Sequence, residues 1–144
     1  MLPNKFSVLS ITALMLMSFC SISSAEDKRQ LVKMPEMMRV HQLENMRDHL
    51  KAVDEILMNM GAGELDKAAD IAEQRLGMSS LSTHGASHMA QVIPKEMGAI
   101  GTSMHKAASR FALKAQEGDA LEAYKALQEV TSACVACHAA YKTQ

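Results

Sequence analysis

The sequence of 144 residues has no tryptophan, two tyrosines, three phenylalanines and three prolines. This scarcity excludes a large aromatic core, so the interior is expected to be built from Leu, Ile, Ala and Met, a residue type that packs adaptably; the sequence has thirteen methionines, ten of them within residues 26–144. The formal net charge is only −1 and no basic stripe is present, so nothing indicates a nucleic-acid partner. No stretch alternates between apolar and polar residues, so a sheet is not expected.

The N-terminal residues have the pattern of a cleavable secretory signal. Lys5 supplies a positive charge, residues 6–22 form an apolar run, and residues 23–25 are small and precede a charged stretch. We therefore predict a signal peptide over residues 1–25 and export to the periplasm.

Two kinds of membrane attachment are the alternatives to cleavage. The apolar run is short for a membrane-spanning helix, which needs about 20 apolar residues. A lipid anchor on Cys20 is disfavoured because the bulky Phe19 stands before it. Cleavage leaves one domain over residues 26–144 with two cysteines, Cys134 and Cys137.

The remaining sequence has the period of amphipathic helices almost throughout. The first helix follows Pro35 and ends at residues 61–63, because glycine commonly follows the last helical residue. Its apolar seam, spaced by three and four, consists of Leu43, Met46, Leu50, Val53, Leu57 and Met60. A second helix is predicted over residues 64–76. Residues 78–94 are predicted to form a long connection with one helical turn inside.

A third helix is expected to begin at Pro94 or Lys95. Its seam consists of Met97, Gly101, Met104, Ala108, Phe111 and Ala115. Residues 117–119 form a turn, and Asp119 can cap the fourth helix. The stripe of that last helix consists of Ala120, Tyr124, Leu127, Thr131, Cys134, His138 and Tyr141. Four such helices, joined by two tight turns and one longer connection, predict an all-α protein, an antiparallel four-helix bundle.

Residues 134–138 read Cys-Val-Ala-Cys-His, the Cys-x-x-Cys-His pattern of covalent haem attachment. On a helix, Cys134 and Cys137 lie side by side, so both sulfurs can reach the two vinyl-derived carbons of one porphyrin edge. His138 lies four residues after Cys134 on the same face, where its imidazole can bind the iron. We predict one covalent haem c, attached at Cys134 and Cys137, with His138 as the proximal iron ligand.

Three other interpretations of the cysteines compete. A thioredoxin-like pair normally follows a strand and begins a helix, whereas this pair lies near the end of the last helix. A zinc site would need a further ligand from His84, His88 or His105, and an adjacent Cys-His pair is poorly spaced for tetrahedral coordination. A local disulfide would leave the histidine without a role. For His84, His88 and His105 we expect solvated or locally hydrogen-bonded side chains, with a second metal site as the alternative.

The C-terminal sequence resembles the class II cytochromes c, the cytochrome c-prime family. In that family the haem motif on the last helix of a four-helix bundle is followed by His-x-x-Tyr/Phe-Arg/Lys, and here residues 138–142 match this pattern. The resemblance implies that Lys142 lies on the proximal side, beside the axial histidine. The specific match covers Cys134 to Lys142, while helix number and order agree over the whole mature chain.

The resemblance also implies that the distal side of the haem, opposite the axial histidine, is of one of two kinds. One branch closes it with an apolar residue of the first helix and binds NO or CO, whereas the low-spin branch binds the iron through a methionine there. Met46 is the best candidate for that methionine, because it lies early in the helix and in phase with its apolar seam. His49 is the rival ligand, and Met37 and Met38 are weaker candidates. Gln42 stands where the family often has an arginine, and it is our candidate haem-contacting residue on that turn.

These residues predict a one-electron carrier whose haem iron is bound by His138 and Met46. Such a carrier exchanges electrons with redox partner proteins. The alternative function is a five-coordinate protein that binds a small gas such as NO or CO. We do not expect an enzyme, because the first helix offers no well-placed distal His–Arg pair. Family members often pair through their first two helices, so a homodimer is also an expectation.

Overall fold

The computed structural model describes residues 26–144, and the predicted signal peptide over residues 1–25 lies outside the described residues. The described part is mostly helical, so the all-α prediction is confirmed. In chain order its elements are strand β1 (Gln30–Val32), helix α1 (Glu36–Gly61), helix α2 (Leu65–Arg75), a 3-10 turn (Met78–Ser80), helix α3 (Ala86–Met89), helix α4 (Lys95–Gln116), helix α5 (Ala120–Ala140) and strand β2 (Tyr141–Thr143).

The helix boundaries follow the local signals in the sequence. Helix α1 begins after Pro35 and is followed by Gly63, whose φ of 77° favours glycine. Helix α4 begins after Pro94, as predicted. The side chain of Asp119 accepts hydrogen bonds from the backbone N–H groups of Leu121 and Glu122 and caps α5, as expected. The predicted connection over residues 78–94 contains the 3-10 turn and the single helical turn of α3.

The core lies where α1 packs on α2, α2 on α4, and α4 on α5. Its largest fully buried apolar side chains are Phe111, Ile56, Leu76 and Val130. Alanines fill most of the remaining positions and let the helix backbones approach closely; they include Ala52, Ala68, Ala69, Ala72, Ala108 and Ala123. The predicted seam of α4 is largely buried, since Met97, Met104, Ala108, Phe111 and Ala115 all lie in the interior.

The prediction that the apolar seam of α1 faces the core is wrong. Leu50 is 73% exposed and Leu57 is 45% exposed, whereas Ala52 and Ile56 are fully buried. The helix therefore turns a neighbouring face toward α2, and only Met60 of the predicted seam is in the core. The reason is that the small side chain of Ala52 permits close helix packing, which the bulkier leucines would prevent.

The expectation that the chain forms no sheet was also not fully correct. Strands β1 and β2 form a short parallel pair in which Gln30 lies opposite Tyr141 and Val32 opposite Thr143. Each strand has three residues, too few for an alternating pattern to be visible in the sequence. The pair fixes the segment before α1 to the end of α5.

No helix within residues 26–144 is sufficiently long and apolar to cross a membrane.

Candidate functional site

A cavity of about 580 Å³ lies between α1, α4 and α5, with the connection over residues 81–93 closing one side. Its volume falls in the usual range for small-molecule and cofactor sites. Most of its wall is apolar, and these residues are Leu50, Val53, Leu76, Leu81, Met89, Ile93, Met97, Ile100, Met104 and Val130. Leu50 and Val53, from the predicted seam of α1, thus line the cavity.

The predicted haem motif lies on this cavity. Cys134, Cys137 and His138, from the last two turns of α5, all contribute to its wall. Both thiols are unpaired and partly buried. Burial raises the pKa of Cys134 and of Cys137, so both thiols are protonated at neutral pH. Such thiols are not the low-pKa thiolates of disulfide oxidoreductases.

Two of the residues predicted for the distal side lie on the same cavity. Met46 and Gln42, one turn apart on α1, are both part of its wall, across from the motif on α5. Met37 and Met38 instead line a separate, smaller cavity of about 190 Å³, together with His41. The structure therefore brings Met46, and not Met37 or Met38, to the cavity that holds Cys134.

Lys142 does not line the cavity. It lies in β2, and its Nζ atom is 3.3 Å from Oδ2 of Asp27. Arg29 instead contacts the predicted iron ligand, since its Nη1 atom donates to the carbonyl oxygen of His138 over 3.4 Å. Arg29 carries no recognisable pattern in the sequence and reaches this carbonyl only because β1 pairs with β2.

A cluster of three histidines forms one end of the cavity wall. It consists of His49 from α1, His84 from the turn before α3, and His105 from α4, and we call it the histidine cluster. The ring centroids of His49 and His84 are 4.7 Å apart, those of His84 and His105 5.5 Å, and those of His49 and His105 6.0 Å. The alternative of a metal site formed by His84, His88 and His105 is wrong, because His88 is exposed and lines the smaller cavity.

Hydrogen bonds hold the histidine cluster in place. The Nδ1 atom of His105 donates to the carbonyl oxygen of Leu76 over 2.7 Å, which leaves its Nε2 atom with a free lone pair in the neutral ring. Ser80 Oγ donates to the carbonyl of Gly77 and lies 3.3 Å from Nδ1 of His84. Between His49 Nε2 and His84 Nδ1 the distance is 3.4 Å.

Burial keeps two members of the cluster, His49 and His84, uncharged. Loss of water, followed by the neighbouring imidazoles, lowers the pKa of His49 from 6.5 to about 4. Burial, followed by His105, also lowers the pKa of His84. Both side chains are therefore neutral at physiological pH, the form in which an imidazole binds a metal ion.

The charges next to the cluster are already paired. Arg75 of α2 binds both oxygens of Asp48 and also donates to Glu55 over 2.5 Å, so that α1 and α2 are joined by one guanidinium. Its hydrogen bonds lower the pKa of Asp48. Among residues 26–144 no group of three or more His, Cys, Asp or Glu side chains already surrounds a common point as a metal site would.

Comparison of the chain with protein-family models, with curated proteins and with solved structures gave no significant match.

Proposed function

We propose that the protein is a periplasmic c-type cytochrome that carries one covalent haem and transfers single electrons between redox partner proteins. One observation carries this proposal: Cys134, Cys137 and His138 line the same cavity as Met46, from opposite helices. The architecture that we propose for it is the antiparallel four-helix bundle of the class II cytochromes c, formed by α1, α2, α4 and α5.

The residues present fit a haem. The cavity has an apolar wall, as the porphyrin face requires, and two unpaired thiols three residues apart on α5. Cys134 and Cys137 would supply the two thioether bonds, and His138 would bind the iron from the proximal side. The Arg29 guanidinium would hold the carbonyl of His138 and so help to fix the end of α5. When bound, a haem with His and Met ligands supplies a one-electron couple of raised potential.

The contacts of His49 favour Met46 as the distal ligand. The Nε2 atom of His49 is already engaged with His84 across 3.4 Å, and its ring belongs to the histidine cluster. Met46 lies one turn earlier, on the part of the wall that α1 contributes. A thioether needs no desolvation of a charge and no hydrogen-bond partner, so Met46 is free to coordinate.

Electron transfer also requires that the cofactor edge lie near solvent. Val135 lines the cavity and is 68% exposed, so the cavity reaches the surface beside the cysteines. Leu50, which also lines the cavity, is 73% exposed. Apolar residues of this kind around a redox site suit the small, transient interfaces of electron-transfer partners.

The visible spectrum of the purified exported protein tests the proposal. We expect a low-spin ferric spectrum with the weak far-red band of a Met–Fe bond, and sharp α and β bands after reduction. Met46→Ala should remove the far-red band and produce a high-spin ferric form. Met58→Ala is the matched control, because Met58 lies on the same helix, is 65% exposed and does not line the cavity.

A high-spin ferric spectrum of the wild-type protein, with ready CO binding after reduction, would instead establish the five-coordinate, gas-binding alternative. A low-spin spectrum that survives Met46→Ala and is lost in His49→Ala would move the distal ligand to His49.

A further inference from the structure

The separations within the histidine cluster are those of ligands around one metal ion. Tetrahedral zinc with Zn–N bonds of 2.0–2.1 Å places its ligand nitrogens about 3.4 Å apart. The same geometry places the centroids of radially oriented imidazole rings about 5.2 Å apart. The observed nitrogen separation for His49 and His84 is 3.4 Å, and the three centroid distances are 4.7, 5.5 and 6.0 Å.

We propose that His49, His84 and His105 bind a borderline transition-metal ion, of the Zn²⁺ or Cu²⁺ type, at a site separate from the haem motif. His49 Nε2 and His84 Nδ1 form the preformed pair, and His105 supplies the third imidazole. The metal ion would replace the contact between these two nitrogens, and the ring that carries its proton there would change to its other neutral tautomer. The site goes beyond the proposed electron-transfer function, because it uses neither cysteine and none of the residues assigned to the haem.

The chemistry of the donors selects the metal. Three imidazoles and no free carboxylate face the site, since Asp48 next to it is bound to Arg75. Imidazole nitrogen suits zinc and copper, whereas calcium and magnesium require oxygen ligands. A fourth position stays open to water from the cavity.

One ligand must move for the site to close. No three donors surround a common point within residues 26–144, so His105 has to turn toward the His49–His84 pair. Its ring centroid is 5.5 Å from that of His84 and 6.0 Å from that of His49, which leaves only a short movement. His105 would bind through Nε2, so its Nδ1 hydrogen bond to the carbonyl of Leu76 need not be broken.

The surroundings already restrain the other two ligands, as second-shell groups do in metal sites. The Nδ2 atom of Asn45 donates to the backbone carbonyl of His84 over 3.2 Å and so connects the turn to α1. Arg75 holds the α1 turn that carries Asp48 and His49.

Calorimetric titration of the tag-free, haem-loaded protein with Zn²⁺, after treatment with a chelator, tests the proposal at neutral pH. We expect one Zn²⁺ per chain with micromolar or tighter affinity. His84→Gln and His105→Gln should each weaken that binding at least about tenfold, the smaller loss seen even for second-shell changes. His88→Gln is the matched control: His88 lies in α3, is exposed and stands outside the cluster, so its affinity should equal that of the wild type.

A second measurement needs no variant. One equivalent of Cu²⁺ bound to the wild-type protein should show nitrogen superhyperfine splitting from imidazoles in its electron paramagnetic resonance spectrum. Absence of stoichiometric Zn²⁺ binding, absence of the nitrogen splitting, or equal loss of affinity in His88→Gln would each overturn the proposal. The covalent haem content, measured in the same samples, is a separate readout, so a failed haem assignment cannot be mistaken for a failed metal site.

Discussion

The Nε2 atom of His49 lies 3.4 Å from Nδ1 of His84, although 35 residues separate the two in the chain. This contact connects the long first helix to the irregular connection before α4. It also places two uncharged imidazoles on the wall of the cavity that holds the Cys-x-x-Cys-His motif. The first prediction concerns the protons of this pair.

We predict that stability decreases as the pH falls from about 6.5 to about 4. In the unfolded chain His49 takes up a proton near 6.5, whereas in the folded protein its pKa is about 4. Between these two pH values the unfolded state binds more protons than the folded state. The free energy of unfolding therefore decreases as the pH is lowered, by up to about 3 kcal/mol from His49. Above a pH of about 6.5, the stability that the uncharged His49 contributes is fully present.

Urea unfolding at several pH values, with a chelator present, measures this slope. His49→Gln should flatten the pH dependence in that window, while Met58→Ala, a change at an exposed and uncharged position of the same helix, should leave it unchanged. An equally steep slope in His49→Gln would assign the effect to other groups.

The second prediction concerns the cysteines. Cys134→Ser with Cys137→Ser should abolish covalent haem, so that a denaturing gel stained for haem shows no band at the protein's mass. Cys20→Ser is the control, because Cys20 lies in the predicted signal peptide and should leave the haem stain unaltered. Covalent haem in the double variant would refute the assignment of the motif.

The third prediction tests which face of α1 is buried. Ile56 is fully buried, so Ile56→Ala should lower the free energy of unfolding by about 2–5 kcal/mol, through lost burial and the cavity left behind. Leu57 is 45% exposed, and Leu57→Ala should cost less than about 1 kcal/mol. If chemical denaturation showed a larger loss of unfolding free energy for Leu57→Ala than for Ile56→Ala, the buried face of α1 would be the one predicted from the sequence.

The fourth prediction concerns the ion pairs between α1 and α2. Arg75→Met should lower the free energy of unfolding by about 1–2 kcal/mol, because Asp48 and Glu55 both lose their partly buried cation. The difference from wild type should shrink at high salt, as screening weakens charge interactions. The control is Arg110→Met, whose pair with Glu129 is more than half exposed on both sides and should contribute under about 1 kcal/mol. Equal losses in the two variants would remove the special role given to Arg75.

The sequence allowed the helices to be predicted well, because their signals are local. The predicted second helix over residues 64–76 differs from the observed Leu65–Arg75 by one residue at each end. Pro94 and Asp119 mark helix starts through properties of a single residue, a fixed φ and a capping oxygen.

The orientation of α1 could not be predicted, because two neighbouring faces of that helix are apolar. Leucine marks the larger hydrophobic face, yet close packing on α2 is decided by the small Ala52. Periodicity gives the helix, while the choice between its faces depends on the shape of its neighbours.

In the candidate site, too, some residues could be predicted from the sequence and others could not. Cys134 to His138 could be identified because the motif is contiguous, and Met46 could be placed by its phase in one helix. The histidine cluster could not, since His49, His84 and His105 come from three separate elements. Arg29 likewise acquires its contact with His138 only through the strand pair.

That strand pair has a kinetic consequence. Pairing Gln30 with Tyr141 joins the two ends of the described chain, and the entropy of loop closure disfavours so distant a contact until the helices between them have packed. The amides of residues 30–32 and 141–143 should thus exchange with deuterated solvent before those of α4. Because α5 runs directly into β2, the end of the chain beyond His138 is fastened late, and the segment that carries both cysteines remains reachable while the rest of the molecule takes shape.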